Sequence, residues 1–297
     1  MTRRDGALAV LVMVLWGLNF VVIDVGLDDV PPLLFVAIRF CVVLLPAFLW
    51  VRRPDIPRRH IAAVGLLMSA GQFGLLYSGM DAGMPPGLAS LVLQTQVMLT
   101  VGIAAVTLGE RPTARQLAGV GLGTAGLAVV ALGRDATAPA LGLILTLGAA
   151  TSWACGNVLS RKVGTSSGLE LTVWSAFFVP VPLLLLSLAV DGPATVGHAL
   201  AGLSGTAVLS TLYTAILSSL VGYGIWNSLL NRYPAASVVP FVLLVPPIGI
   251  LAAWAFQNET PNAAELLGGA VLLAGVAITT RAPARTRPPR TPGARHA

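Results

Sequence analysis

Charged side chains are scarce in this chain of 297 residues: Asp, Glu, Lys and Arg make up 10% of it, against about 25% in an ordinary soluble domain. Hydrophobic residues make up 56%, and the mean hydropathy is +0.83. Apolar runs of about 20 residues follow one another, and each is long enough to cross a bilayer as a helix. The composition therefore indicates a polytopic membrane protein and argues against a soluble globular domain.

Residues for common catalytic and metal chemistry are equally few. The three histidines, His60, His198 and His296, fall in loops, at the edge of a run or near the C-terminus, so neither a metal cluster nor a His-based triad is predicted. No Walker A pattern is present, so ATP is not implied. Both cysteines, Cys41 and Cys155, lie inside apolar runs and are interpreted as reduced packing residues. We predict no enzyme activity, no metal and no cofactor.

Ten spans fit the apolar runs, so the predicted fold class is an all-α membrane protein with ten transmembrane helices. The first span is not a removable signal peptide, because no small-residue cleavage site precedes the next span. The spans cover residues 6–26, 32–51, 60–80, 85–108, 113–132, 141–160, 169–190, 204–229, 234–256 and 262–280.

One segment occurs twice in the chain. Residues 110–128 read ERPTARQLAGVGLGTAGLA and residues 259–277 read ETPNAAELLGGAVLLAGVA, so Glu259 repeats Glu110 at an interval of 149 positions without a gap. Internal similarity of this kind predicts a duplicated architecture, here two five-helix repeats at residues 1–135 and 136–281. The glycine-rich run within the first copy is interpreted as a close helix-packing face.

The basic residues lie in alternate loops. Sixteen of the 18 Lys and Arg residues fall in the termini or the even-numbered loops, whereas the odd-numbered loops hold Arg134 and six acidic residues. By the positive-inside rule both termini are cytoplasmic. Because each repeat has an odd number of spans, the two repeats must be inverted relative to each other. The basic, Pro-rich tail at 282–297 is predicted to be disordered and to contact anionic lipid, and no nucleic-acid partner is expected.

The few polar side chains inside the spans are the candidate binding residues, because an unpaired polar group is costly in lipid. Asn19 and Asn157 lie near mid-bilayer in two similar segments, which also carry Trp16 and Trp153. Since Asn offers both donors and an acceptor, this pair could hold the ammonium and carboxylate of an amino acid between the repeats. The alternative, of equal weight, is that each Asn bonds a neighbouring helix.

Glutamines supply a second group of candidates. Gln94 and Gln96 lie about 15 Å deep in the fourth span at a rise of about 1.5 Å per residue. Residues two apart point to different helix faces, so we expect at most one of them to face a central cavity and select Gln94, together with Gln72. Tyr223 is a candidate for the cavity wall, with interfacial anchoring as its alternative.

A charge also lies inside the second span. Arg39 is roughly 10 Å below the predicted outer surface, and Asp24 near the outer end of the first span is at similar depth. The two could form an ion pair at the outer mouth. The alternative is that Arg39 snorkels or caps backbone carbonyls. In either case Arg39 could attract a solute that carries a carboxylate.

Several motifs together resemble the EamA family of the drug/metabolite transporter superfamily. They are W-G-L-N-F-V-V-I at 16–23, P-P-L-x5-R-F at 31–40, M-P-x-G-L-A-S-L-V-L-Q at 84–94 and G-E-R at 109–111. Within that family, S-W-A-C-G-N at 152–157 and V-G-Y-G-I-W at 221–226 are most similar to bacterial exporters of O-acetylserine and cysteine. The resemblance implies ten helices in two inverted halves, an inner-membrane location and export of small metabolites.

We therefore expect an inner-membrane exporter of amino acids and related cysteine-pathway metabolites that works by alternating access. The solute would be held by Asn19, Asn157 and Gln94 and walled by Trp16 and Trp153. An exporter of drugs or other metabolites is the alternative on the same fold, and an intramembrane enzyme or a scaffold represents other classes. The expected partners are a small solute and membrane lipid, and a homodimer is an open option.

Overall fold

The computed structural model describes residues 1–51, 53–133, 139–163, 168–233 and 235–280, and within these ranges all regular structure is helical, without a strand. The predicted boundary between the repeats at 135/136 and the tail at 282–297 lie outside the described residues. The helices are α1 (Arg3–Leu27), α2 (Pro32–Trp50), α3 (Arg58–Asp81), α4 (Pro86–Leu108), α5 (Ala114–Gly133), α6 (Ala140–Val163), α7 (Gly168–Ala176), α8 (Pro180–Val190), α9 (Pro193–Ala201), α10 (Gly205–Arg232), α11 (Val239–Gln257) and α12 (Ala263–Thr280).

In the described ranges, nine helical stretches are long and apolar enough to cross a membrane, with α7 and α8 together forming one of them. The helix α2 is also apolar, and its shorter stretch Pro32–Leu44 falls below that length. The predicted seventh span is bent at residues 177–179, where α7 has ended and α8 begins at Pro180. Proline favours the first turn of a new helix because its missing N–H is not needed there. The short helix α9 fills what the sequence predicted as a loop.

The helices depart from α geometry at matching places. A π-helical segment occupies Leu66–Gly71 in α3 and another occupies Tyr213–Val221 in α10. A 3-10 segment occupies Leu93–Thr95 in α4 and another opens α11 at Val239–Leu244. An offset of 149 positions carries each member of a pair onto the other. Such irregular turns occur often at functional sites.

The ends of α4 and α11 match in the same way. The helix α4 is followed by Gly109 with a φ of 67°, and α11 is followed by Asn258 with a φ of 57°. Both residues are in the left-handed conformation that ends many helices, which Gly adopts freely and Asn adopts more readily than other side chains. The similarity found in the sequence therefore extends to backbone conformation.

Helix contacts cross between the two parts of the chain. The first helix of the chain, α1, packs against α10 and α11, whereas α6 packs against α3 and α4. The helices α5 and α12 pack through glycines, since a Cβ at Gly119 would lie 2.8 Å from the Gly275 carbonyl oxygen and one at Gly126 would lie 2.6 Å from that of Gly268. The close-packing face predicted for the glycine run of α5 is confirmed.

One end of the bundle carries the N-terminus and most of the basic residues, and we call it the basic end. Asp5 in the first turn of α1 pairs with Arg232 at 3.0 Å and accepts a hydrogen bond from the Tyr233 hydroxyl at 2.6 Å. Glu110 pairs with Arg161 at 3.4 Å. The described basic residues at this end are Arg3, Arg4, Arg53, Arg58, Arg59, Arg111, Arg115, Arg161, Lys162 and Arg232.

The opposite end, which we call the acidic end, is held by contacts of α1 and α4 with the last residue of α11 and the segment that follows it. Gln257 Nε2 donates a hydrogen bond to Asp24 Oδ2 at 2.6 Å. The Gly87 amide at the start of α4 donates to Glu259 Oε2 at 3.2 Å. The described acidic residues of the loops at this end are Asp28, Asp29, Asp81, Asp191 and Glu259. Among the described residues, the two ends thus carry charge of opposite sign.

Candidate functional site, a polar cavity between the helices

A cavity of about 330 Å³ lies among α1, α3, α4, α6, α10 and α11. This volume is near the lower end of the range of about 300–1,000 Å³ that small-molecule sites occupy. All the residues predicted to bind substrate line it, namely Trp16, Asn19, Gln72, Gln94, Trp153, Asn157 and Tyr223. The fold brings these side chains together, and their binding role stays a prediction.

Aromatic rings form one wall of the cavity. The ring of Trp16 lies 5.1 Å from that of Tyr223 and 5.5 Å from that of Trp226, centroid to centroid. The indole Nε1 of Trp16 donates to the Ser218 carbonyl at 3.0 Å, within the π-helical segment of α10. These contacts fix the ring orientation, so the wall is formed before a solute enters.

The π-helical segment of α3 is bonded in a comparable way. Ser152 Oγ of α6 donates to the Leu67 carbonyl at 2.8 Å. A π-helical turn displaces backbone carbonyls from the regular α pattern and makes them available to side chains. Each π-helical segment therefore receives a side-chain hydrogen bond from the first helix of the other predicted repeat, α10 from α1 and α3 from α6.

Gln96 lines the cavity as well as Gln94, so the expectation that only one of them would do so is wrong. The backbone forms a 3-10 turn at Leu93–Thr95. With about three residues per turn, side chains two apart are separated by about 120° around the axis, against about 160° in an α-helix. Asn157 Nδ2 donates to Gln96 Oε1 at 3.0 Å, so this asparagine bonds a neighbouring helix and lines the cavity at once.

Two amide oxygens at the cavity are buried without a hydrogen-bond partner in the described part of the chain. They are Asn19 Oδ1 and Gln94 Oε1, on side chains of residues that are 6% and 5% exposed. An amide oxygen accepts from N–H or O–H groups. Two buried acceptors on residues that line the cavity are therefore left without a partner among the described protein groups.

Arg39 lines the same cavity and is 1% exposed, and the ion pair predicted with Asp24 at an outer mouth is wrong. Arg39 donates from Nη1 to the Tyr77 hydroxyl at 2.8 Å and from Nη2 to Ser219 Oγ at 2.9 Å. Arg39 thus faces α3 and α10, and both of its hydrogen-bond partners are hydroxyl groups. The alternative hypothesis, in which Arg39 caps backbone carbonyls, does not describe these bonds either. Asp24 bonds Gln257 on α11 instead.

Sequence reasoning missed other cavity residues. Ser90, Ser218 and Asn227 also line it. Small hydroxyls gave no signal, because Ser commonly bonds its own helix backbone. Arg39 could have been assigned to the cavity from its position well inside an apolar run, since intramembrane charges usually face the bundle interior.

The cavity extends toward the basic end. Its lining includes Val239 at the start of α11, Leu230 near the end of α10 and Thr280 at the end of α12. Toward the acidic end it is bounded by the first part of α4, where every residue from 86 to 95 is buried. The two ends therefore differ in packing as well as in charge.

The half-buried carboxyl of Glu259 lies at the acidic end, beyond the last turn of α11. Burial raises its pKa, and the hydrogen bond from the Gly87 amide acts in the opposite direction. The carboxylates of Glu265 and Asp24 raise the pKa further. Burial at the acidic end therefore shifts Glu259 toward its protonated form.

Residues 6–132 and residues 140–281 match the EamA-like transporter family. This chain belongs to the EamA-like transporter family. Membership indicates a transporter rather than an enzyme, and the apolar helices agree with a multi-pass membrane protein. The resemblance drawn from sequence motifs is confirmed.

Curated relatives are similar over nearly the whole chain. A protein of Escherichia coli K12 named probable amino-acid metabolite efflux pump is 42% identical over 285 residues, which cover 94% of this chain and 95% of the relative. A protein of Streptantibioticus cattleyicolor named probable terminal-alkyne amino-acid exporter is 32% identical, with 96% and 97% covered. Among the solved structures that match, one crystal structure has a TM-score of 0.60 at 20% identity over 94% of this chain and 97% of that chain, which supports the fold alone.

Proposed function

We propose that this protein exports amino acids and related small metabolites across the cell membrane, with the central cavity as the substrate site. The observation that carries the proposal is the convergence of the intramembrane polar side chains on one cavity of about 330 Å³. Two relatives carry names that refer to export of amino acids or their metabolites. By the resemblance to the O-acetylserine and cysteine exporters, we expect small amino acids with a polar or sulfur-bearing side chain to be transported.

We propose further that the chain forms ten spans in two inverted five-helix repeats and works by alternating access. The paired π-helical and 3-10 segments support this arrangement, because both kinds of irregularity recur at an offset of 149 positions. The crossed packing of α1 on α10 and α6 on α3 supports it as well, since a two-fold axis relating the repeats would exchange these pairs. Rocking of such repeats about a central site would expose it to each side in turn.

In this proposal the basic end is cytoplasmic, both termini lie there, and the membrane is the bacterial inner membrane. The positive-inside rule supports this orientation. A substrate would then enter from the cytoplasm through the basic end and leave through the acidic end after the first part of α4 separates from α11. Reporter fusions to each terminus test the orientation, and an extracellular N-terminus or C-terminus would overturn it.

Counterflow in proteoliposomes tests the transport proposal. Purified protein should accelerate exchange of radiolabelled cysteine or O-acetylserine, and a panel of drugs and other metabolites in parallel distinguishes the alternative cargo. A protein that moves no solute in the panel would contradict the proposal. Repeating the assay with and without a pH gradient measures proton coupling.

Two asparagines test the site assignment. Asn19→Ala and Asn157→Ala should each lower the transport rate about tenfold, because each removes amide groups at the cavity. Asn231→Ala is the matched control, since Asn231 is exposed at the basic end of α10 and should leave the rate unchanged. If both cavity variants transported like the wild type, the assignment would be wrong while the transport function stood.

A further inference from the structure

The guanidinium of Arg39 is a buried cation that has no carboxylate partner among the residues that the structure describes. The two ion pairs found within the described ranges join Arg161 to Glu110 and Arg232 to Asp5, both at the basic end. Arg39 has instead the hydroxyls of Tyr77 and Ser219 as hydrogen-bond partners, and these are neutral acceptors. A charge removed from water without a counter-ion is costly, so the site gains stability from an anion.

The neighbours of Arg39 hold its orientation. The ring of Phe73 lies 4.2 Å from the guanidinium carbon, which is a cation–π distance. Ser219 Oγ is itself fixed by donation to the Thr214 carbonyl at 2.8 Å, and the Tyr77 ring packs edge-on against Phe35 at 5.2 Å between centroids. The guanidinium is therefore pre-organised, and a ligand would not have to order it.

Donors remain on the guanidinium for a ligand. Arg carries five N–H groups in a planar fork, and the hydrogen bonds to Tyr77 and Ser219 use one on each terminal nitrogen. The Nε atom has no hydrogen-bond partner among the described residues. A planar fork of this kind fits the two oxygens of a carboxylate better than it fits a single-atom anion.

The unpartnered amide oxygens at the cavity supply hydrogen-bond acceptors, in contrast to the donors of Arg39. Asn19 Oδ1 and Gln94 Oε1 are acceptors without partners in the described chain, and they line the same cavity as Arg39. An ammonium group offers three donors and no acceptor. The residues that line this cavity thus carry one fixed cation, two unpartnered acceptors and one unpartnered amide donor, Asn227 Nδ2, and this set matches a molecule that carries both a carboxylate and an ammonium.

We propose that Arg39 binds the α-carboxylate of the substrate and that Asn19 and Gln94 accept hydrogen bonds from its α-ammonium, so that the site selects free zwitterionic amino acids and side-chain derivatives of them. This assignment rests on the proposed function and specifies the substrate class of the same cavity. It places the variable side chain of the substrate elsewhere in the cavity, beside the aromatic wall formed by Trp16, Tyr223 and Trp226.

Ligand analogues test the assignment on the wild-type protein. In counterflow, L-cysteine is compared with L-cysteinamide and cysteamine, which lack the carboxylate, and with 3-mercaptopropionate, which lacks the ammonium. Losing a charge-assisted hydrogen bond at a buried site should weaken binding at least about tenfold, so all three analogues should compete at least about tenfold more weakly than cysteine. Quenching of tryptophan fluorescence on ligand binding should rank the affinities of these compounds in the same order, and it does not depend on transport.

The outcomes separate this inference from the proposed function. If cysteine and cysteinamide compete equally, the carboxylate assignment is wrong and the transport function stands. If 3-mercaptopropionate competes as well as cysteine, the ammonium assignment is wrong. If O-acetylserine, cysteine and the rest of the amino-acid panel neither move nor bind, the proposed function fails and this inference fails with it.

Variants of Arg39 give a second test. Arg39→Lys keeps the charge and loses the planar fork, and Arg39→Met keeps the length of the side chain and loses the charge. The half-saturation concentration for cysteine should rise in the order wild type, Arg39→Lys, Arg39→Met, while the preference for cysteine over cysteinamide disappears in Arg39→Met. Arg161→Met is the matched control, because Arg161 forms an exposed ion pair away from the cavity. A folded Arg39→Met protein that retains the preference would overturn the assignment.

Discussion

Two segments that correspond by the 149-residue offset are packed in opposite ways. Residues 90–95 in α4 are all buried, whereas none of the residues of Val239–Leu244 in α11 is buried. The buried segment is the more polar one, since it reads S-L-V-L-Q-T against V-P-F-V-L-L. Hydrophobicity therefore does not decide which copy is enclosed, and the difference reflects how the bundle is closed at the acidic end and open toward the basic end.

The contacts of the buried segment explain its enclosure. Ser90 Oγ donates to the Gly87 carbonyl at 2.6 Å, and Gly249 of α11 approaches Ser90 closely. The Glu259 carboxylate accepts a hydrogen bond from the Gly87 amide. At the basic end the corresponding Glu110 pairs with the exposed Arg161. An inverted repeat that alternates between two states would exchange these two environments.

The largest expected effect comes from the close approach of α4 and α11. In Gly249→Ala the new Cβ would lie 2.7 Å from Ser90 Oγ and 2.9 Å from Ser90 Cβ, and overpacking of this kind costs about 1–3 kcal/mol. The variant should lower the thermal midpoint in detergent and loosen the acidic end.

Gly102→Ala is the control for that substitution. A Cβ at Gly102 meets nothing within 4 Å, so replacing Gly in a helix should stabilise by about 0.5–1 kcal/mol. If Gly249→Ala and Gly102→Ala had equal thermal midpoints, the close approach of α4 and α11 at Gly249 would be contradicted.

The second prediction measures the difference in enclosure directly. In a background with Cys41 and Cys155 replaced by Ala, Val239→Cys should react with a small maleimide at least about tenfold faster than Ser90→Cys, because a buried thiol reacts only after local opening. Labelling after denaturation in SDS is the control and should be equal. Similar rates in the folded protein would show that the two segments are equally accessible.

The third prediction concerns pH. Burial raises the pKa of Glu259 in the folded protein, so between the ordinary carboxyl pKa of about 4.3 and the raised value the folded state binds more protons than the unfolded state. The contribution of Glu259 to stability is therefore full below about pH 4.3 and declines as the pH rises through the raised pKa.

Glu259→Gln isolates this contribution. Thermal midpoints measured across the acidic pH range should decline less steeply for Glu259→Gln than for the wild type. If the thermal midpoints of the two proteins changed equally with pH, Glu259 would not be the group whose titration affects stability.

The smallest effect is expected at the basic end. The side chains of Glu110 and Arg161 are 51% and 50% exposed, and their nitrogen–oxygen distance is 3.4 Å. Exposed ion pairs of this kind contribute about 0–1 kcal/mol. Glu110→Gln should therefore leave the thermal midpoint nearly unchanged, and an effect as large as that of Gly249→Ala would reverse the comparison between the two ends.

The sequence located four amide side chains of the cavity because polar residues are rare in the apolar runs. Asn19, Gln72, Gln94 and Asn157 were selectable for that reason alone, since an unpaired amide in lipid is unfavourable and must face the bundle interior. Gln96 was not selected, because residues two apart point to different faces of an α-helix. This rule does not hold at the 3-10 turn that precedes Gln96. A local change of helix type leaves no clear sequence signal, because its cause is packing against other helices.

Arg39 shows the limit of arguments from depth. Depth within a span relates residues along the membrane normal, and Asp24 seemed a suitable partner by that measure. Depth does not specify the direction in which a side chain leaves its helix. The packing of α2 against α3 and α10 turns Arg39 toward Tyr77 and Ser219, while Asp24 faces α11.

By itself the sequence determined the class of protein, the positions of the apolar helices, the family and several of the polar and aromatic side chains around the cavity. These follow from composition, from the length of apolar runs and from the cost of polar groups in lipid. Only the tertiary structure decided which end of the bundle is closed, and that Arg39 lacks a carboxylate partner within the described chain. Both depend on how helices distant in sequence pack, and two nearly equivalent copies of one pattern cannot specify which of them is enclosed.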